Sequence, residues 1–215
     1  MMRLVVFCIL GILETSTLWA KTFELDGSHT TVGFRVKHLV ISTVYGRFDT
    51  FKGTFEVDDK TGALTAIHAT VEAKSINTNE PDRDKHLRSA DFFDVATKGH
   101  ETLEFIADAF KIEKGKSGKA PGKLTIRGVT RPVEVEIDYG GTVKDAYGNE
   151  KAAFEAKLTI NRRDYDLKWN KVIEAGGVAV GEDVKIEVAA EGNVKEEEAV
   201  EVSATPAKKS VKSKK

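Results

Sequence analysis

The 215-residue chain has a single cysteine, Cys8, which lies inside an apolar run near the start. Beyond it no thiol is present to form a disulfide, act as a nucleophile or ligate a metal. An excess of one charge is missing too. Lysine and arginine number 33 against 34 acidic residues, a net of −1. That balance argues against a dedicated nucleic-acid binder, which needs a basic face. The apolar run itself, Leu4 to Leu13, is ten residues long. A membrane-spanning helix needs about 20. Helical periodicity is scarce as well. A chain of this size without disulfides has to rely on one sizeable core.

Residues 1–20 read as a leader. A cation at Arg3, the short apolar run and small Ala20 give the pattern of a secretory signal peptide, with cleavage expected after Ala20. Cys8 sits in the run behind bulky Phe7, which argues against a lipid attachment site. Removing the leader takes away Arg3 and Glu14 and leaves the charge balance unchanged. Residues 195–215 differ in kind: an acidic run, Pro206 and then mostly lysine. They are expected to form a solvated, disordered tail, with transient contact to a membrane surface as the alternative.

Between these ends the sequence alternates with period two. In 65–74, Ile67, Ala69, Val71 and Ala73 oppose His68, Thr70, Glu72 and Lys74. The same pattern runs through 132–138, 154–161 and 183–191, and four more segments fit it: 29–39, 46–58, 102–112 and 122–128. Glycine- and aspartate-rich turns separate them. About eight antiparallel strands, each with one wet face, predict an all-β barrel or sandwich. The inward faces mix small residues (Gly53, Ala69, Ala107, Ala156, Ala190) with Phe34, Phe55, Phe105 and Phe154. This suits a hollow barrel or a tapering filled one, and parity leaves both open. The best helical candidate is 79–90, where Asn79 or Glu80 can cap and Pro81 suits the first turn. The link 39–45 is read as a turn of helix.

Six stretches in order carry a family resemblance: Phe23 to Leu39 ("FELDGSHTTVGFRVKHL"), Gly46 to Asp58 ("GRFDTFKGTFEVD"), Ser75 to Asp94 ("SINTNEPDRDKHLRSADFFD"), Gly122 to Val135 ("GKLTIRGVTRPVEV"), Ile160 to Asn170 ("INRRDYDLKWN") and Val180 to Gly192 ("VGEDVKIEVAAEG"). Together they resemble the YceI-like family of bacterial exported lipid-binding proteins over residues 22–194. The resemblance implies an eight-stranded antiparallel, lipocalin-like barrel over 21–194 with a short cap helix, residence in the periplasm, and a bound polyisoprenoid, isoprenoid-quinone-like molecule or fatty-acid derivative. Family members can also dimerise. The chain departs from the family at Gly99-His100, where an aromatic-Pro pair is usual, and at Asp166, where Gly is usual.

The residues expected to line the lumen are Phe34, Val36, Phe55, Val71, Phe105, Leu124, Ile126, Val135, Ile137, Phe154, Leu158 and Ile186. Burying about 40 carbons at roughly 0.8 kcal/mol per methylene nominally gives about 30 kcal/mol. That exceeds the practical ceiling of about 20 kcal/mol, so ordering the chain must offset much of it. Hydrocarbon would set affinity and a few rim groups would choose the headgroup. His38, Arg83, His86 and Trp169 are the rim candidates. His38 follows Val32, Phe34 and Val36 by parity, and reads either as a core histidine or as a headgroup contact. Arg83 reads either as a headgroup contact or as a partner of Asp84 or a strand carboxylate in a salt-bridged cap. Trp169 closes one end or anchors the rim.

Five scattered histidines without cysteine offer no metal spacing. Ser89 lacks a nucleophile elbow. No catalytic residue, metal or cofactor other than the lipid is expected, and no nucleic acid. A packed barrel acting as an interaction or stress protein is the alternative. Less favoured is an enzyme acting on a lipid or quinone, with His38 as its only candidate base.

Overall fold

The computed structural model describes residues 20–172 and 177–195. All but the last residue of the expected leader (1–20) and all but the first of the expected tail (195–215) lie outside the described residues. Eleven strands form one sheet. They are β1 (Ala20–Leu25), β2 (Thr31–His38), β3 (Ser42–Phe48), β4 (Phe51–Asp58), β5 (Leu64–Glu72), β6 (Ile76–Asn77), β7 (Thr102–Ala107), β8 (Lys116–Ile126), β9 (Val129–Lys144), β10 (Glu150–Asn161) and β11 (Val180–Val194). The order β1-β4-β5-β7-β8-β9-β10-β11, with β11 pairing back onto β1, closes an antiparallel barrel of eight strands. The expected barrel is therefore the observed one.

The extra strands are continuations. β1 and β2 both lie along β11, interrupted at 26–30. β3 and β4 are one stave bent at Asp49-Thr50, and β6 continues β5 through the 3-10 turn Ala73–Ser75. The bend at Asp49 is pinned by Ser75, whose carbonyl accepts from Asp49 N at 3.1 Å and whose hydroxyl accepts from Thr50 N at 3.1 Å. The link 39–45 is not helical. His38 pairs with Ser42, so residues 39–41 form a hairpin loop and β3 starts directly after it.

The upper end, with the turns 59–63, 108–115 and 145–149, is packed solid. Phe23 stacks on Phe55 at 5.3 Å, and Phe154 meets Phe55 edge-on at 5.2 Å. Gly192 makes room for this cluster: a Cβ there would come within 2.5 Å of the Phe55 ring. Tyr139 is buried in the same core, and its hydroxyl has no hydrogen-bond partner among the described residues. Burial, reinforced by nearby Glu150, pushes its pKa up to about 12. An unpaired buried hydroxyl costs roughly 1–3 kcal/mol. Tyr139→Phe is therefore expected to raise the melting temperature by a few degrees at neutral pH. The folded state holds its phenolic proton up to about pH 12, whereas the unfolded chain loses it near about pH 10. Wild-type stability thus falls across that window, and the advantage of the variant should widen there. A pH series of thermal melts checks both parts.

The lower end is closed by α1 (Pro81–Arg88) and by the segment after β10. Glu80 caps α1, its carboxylate accepting from Asp82 N at 3.2 Å and Arg83 N at 2.6 Å. Asn79 is left-handed (φ 60°), which keeps it outside the helix. Leu87 and Phe93 pack onto Phe48, Val71 and Ile76, fixing α1 against the barrel.

One wall is incomplete. β9 and β10 pair only as far as Glu136 and Lys157. Both strands continue downward, β9 on β8 to Val129 and β10 on β11 to Asn161, but not on each other. A groove lined by Pro132, Val133, Leu158, Ile160 and Tyr165 fills the seam.

Candidate functional site

Between the packed upper core and the capped lower end lies an apolar cavity of about 140 Å³. Phe34, Val71, Phe105, Leu124, Ile126, Val135, Phe154, Leu158 and Ile186 line it, as the inward parity predicts. The small residues Ala69, Ala156 and Ala190 line it too. Three expected lining residues do not. Phe55 (1% exposed) is stacked under Phe23 in the upper core, and Ile137 (1% exposed) belongs to the same cluster with Ile112. Val36 lies one inward step below Phe34, between Val44 and Val184, beyond the cavity. Residues missed at the sequence level include Val32, Phe51, Leu103 and Val188. Their signal was present: each shares parity with a residue that was chosen, Phe34, Phe55, Phe105 and Ile186 respectively. The cavity lining contains no Ser, Thr, His or Asp, and its ionisable members, Glu104 and Lys157, are exposed. Such a site can hold hydrocarbon by burial.

The rim candidates divide. Arg83 is tied to Thr78, donating from Nε to Oγ1 at 2.7 Å and from Nη2 to the carbonyl at 2.8 Å. Buried Asp84 accepts from the same threonine, from N at 2.9 Å and from Oγ1 at 2.5 Å. Among the described residues Arg83 does not pair with Asp84 or a strand carboxylate; both side chains instead hold Thr78 in a polar clasp that fixes the chain entering α1. His86 Nε2 lies 2.8 Å from Asp91 Oδ2, and its ring meets Trp169 edge-on at 4.8 Å and Phe92 at 5.1 Å. The structure thus brings His86 and Trp169 together at the cap. His38 sits half-buried at the foot of β2, and its ring has no hydrogen bond among the described residues.

Other polar groups are accounted for locally. Asp26, His29 and Glu191 converge within 4.8 Å. Lys151 already serves as their cation, 2.7 Å from Glu191 and 3.7 Å from Asp26. Hydrogen bonds from Ser28 and then His29 hold the Asp26 carboxyl far below the usual carboxylate range. Arg162, 3% exposed, donates to the carbonyls of Gly181 at 2.8 Å, Val180 at 3.3 Å and Leu167. Arg127 bridges the carbonyls of Ala90 and Asp166, and Asp94 lies 3.3 Å from His100. The two departures from the family pattern both fall in turns. Asp166 takes the left-handed conformation (φ 59°) that favours glycine, and Gly99 lies at φ 91°.

Comparison with known proteins agrees with this architecture. A family model described as "YceI-like domain" matches residues 23–192. The UPF0312 protein SA2479 of Staphylococcus aureus is 35% identical over 175 residues, 81% of this chain and 98% of that relative. The crystal structure of the Campylobacter jejuni YCEI protein is 32% identical, with a TM-score of 0.63 over 80% of this chain and 97% of that one. A polyisoprenoid binding domain from Saccharophagus degradans shares the fold at 14% identity, with a TM-score of 0.58 over 80% and 98% of the two chains. The closed barrel, its apolar lumen and a family match over nearly all of the described residues lead to one conclusion: the chain belongs to the YceI-like family.

Proposed function

We propose that the barrel holds the hydrocarbon of a long-chain amphiphilic lipid and sequesters or carries it through the periplasm without making or breaking bonds. The candidate lipids are a polyisoprenoid, an isoprenoid-quinone-like molecule and a fatty-acid derivative. The observation that carries the reading is a closed barrel around an almost wholly apolar cavity. The family membership and the description of the Saccharophagus degradans neighbour support it. The leader pattern supports the compartment. No cofactor other than the lipid is needed.

The size of the cavity shapes the mechanism. A volume of about 140 Å³ is close to that of an engineered cavity of about 150 Å³ that takes one benzene. A long chain therefore has to displace lining side chains. Phe34, Phe105, Leu158 and Ile186 are only half-buried at their inward positions, which leaves them room to turn. Part of the burial energy goes into that opening, so affinity falls below the nominal sum over methylenes. Arg83 and His86 are already engaged, whereas the His38 ring makes no hydrogen bond among the described residues and has capacity to spare for a headgroup.

The test is mass spectrometry of an organic extract from protein purified under mild conditions. A stoichiometric isoprenoid or fatty-acyl species is expected. An empty extract, with no uptake of added quinones, polyprenyl phosphates or fatty acids, would sink the proposal and leave a packed barrel acting through its surface.

A further inference from the structure

The hairpin joining β2 to β3 ends in Leu39, Val40 and Ile41, with Val40 65% and Ile41 86% exposed. Beside it, Leu39 N donates to Ala179 O at 2.9 Å, and Ala179 N donates to Lys171 O at 2.9 Å. Val172 and Val178 pair in the same projection, and Val172 is 85% exposed. The result is one aliphatic protrusion at the lower end of the barrel.

Neither the backbone nor the core accounts for these residues. Leu39 and Val40 both hold left-handed conformations, φ 50° and 66°. Hairpin turns with two successive left-handed residues favour Asn-Gly, and a β-branched residue there is strained. Side chains this exposed return little burial energy to the fold. Tyr45 is 64% exposed on β3, and Lys171 Nζ lies 6.0 Å from the Trp169 ring. Lys37 and Lys171 make no ion pair with carboxylates among the described residues. An aliphatic tip followed directly by Lys37 and Lys171, with the rings of Tyr45 and Trp169 behind them, is a grouping that suits entry into a bilayer interface. A few side chains on a narrow hairpin also fall well short of the roughly 800 Å² per partner typical of a stable protein interface.

We infer that this protrusion docks on a lipid bilayer. Val40, Ile41 and Val172 enter the interfacial layer, while Lys37 and Lys171 remain among the headgroups. This goes beyond cargo binding and stands whether or not the lumen holds lipid. It also adds to the carrier reading a surface at which cargo can change hands. The protrusion and the end of β11 at Val194 lie at opposite ends of the barrel, so residues 196–215 can be tested apart from it.

The whole barrel lies within residues 21–215 apart from the first residue of β1, so the test uses that chain. Flotation with vesicles of phosphatidylethanolamine and phosphatidylglycerol is expected to carry the protein upward, more strongly than vesicles of phosphatidylcholine alone. Val40→Asp/Ile41→Asp should weaken flotation at least about tenfold. A second variant guards against misfolding. Leu39→Asn/Val40→Gly should raise the melting temperature, by relieving the turn, and still lose flotation. Removing residues 196–215 should leave flotation intact. The inference is overturned if the wild type does not float, if the tip variants float as well as it does, or if flotation depends on the tail alone. It is also overturned if the tip variants only convert a dimer to a monomer in sedimentation. Ala156→Phe, which blocks the lumen, should float normally, so failure of docking and failure of cargo binding are separate results.

Discussion

Ala156→Phe is expected to weaken uptake of long-chain lipid about a hundredfold while leaving the barrel folded. Ala156 lies on β10, opposite Ile137 on β9 and Val188 on β11, and its methyl group lines the cavity. A benzyl group at this position occupies about the free volume present, since a cavity of about 150 Å³ takes one benzene. Overpacking costs typically 1–3 kcal/mol. Filling apolar space recovers part of that, so the melting temperature should move by only a few degrees. The ligand fares worse. Excluding three or four methylenes at about 0.8 kcal/mol each removes roughly 3 kcal/mol, which is about a hundredfold in affinity. Titration with a fluorescent fatty-acyl or polyprenyl probe measures this. A folded Ala156→Phe protein that takes up the probe as the wild type does would place the hydrocarbon outside this cavity.

Arg162→Met is expected to produce the largest loss of stability. Among the described residues the guanidinium has no carboxylate partner; it serves three backbone carbonyls, those of Gly181, Val180 and Leu167. Burial lowers its pKa, but an arginine stays charged at physiological pH. Its removal leaves those carbonyls without a donor at about 1 kcal/mol or more each, a total of about 3 kcal/mol. For a domain of this size that corresponds to a fall in melting temperature of roughly 6–12 °C. Lysine should not rescue it, because one ammonium cannot reach carbonyls spread across a planar fork. Neighbouring Arg163, in an exposed pair with Glu182 at 2.9 Å, offers the contrast. Arg163→Gln should cost less than about 1 kcal/mol. Equal losses in the two variants would refute the assignment of Arg162 as the clamp between β10 and β11.

The barrel was legible in the sequence because a strand with one wet face writes its own period. Parity named most of the cavity lining for the same reason. Four kinds of feature escaped. The first strand, Ala20–Leu25, is short and begins at the last residue of the expected leader, so its alternation has too few residues to stand out. The hairpin at 39–41 reads as a helical link in the sequence because Leu-Val-Ile shows none of the glycine or asparagine that marks a tight turn. Depth along the barrel axis was also invisible. Parity says that Phe55, Ile137 and Val36 point inward, but only the fold shows that two lie in the upper core and one below the cavity. The partners of Arg83 come from the turn before α1, and those of Lys151 from β11 and from the interruption between β1 and β2. Residue type alone could not distinguish a clasp from a headgroup contact.

The seam between β9 and β10 should leave a mark on backbone amide exchange. Below Glu136 and Lys157 each strand keeps one neighbour and loses the other. In an antiparallel pair successive amides point to alternate sides. Within 133–135 and 158–161, every second amide therefore faces a paired strand and the rest face the groove. Deuterium should enter these stretches with a two-residue rhythm, slow then fast. In β5, which has β4 on one side and β7 on the other, amides should be uniformly slow. A lipid chain held across the seam would quiet the fast positions first.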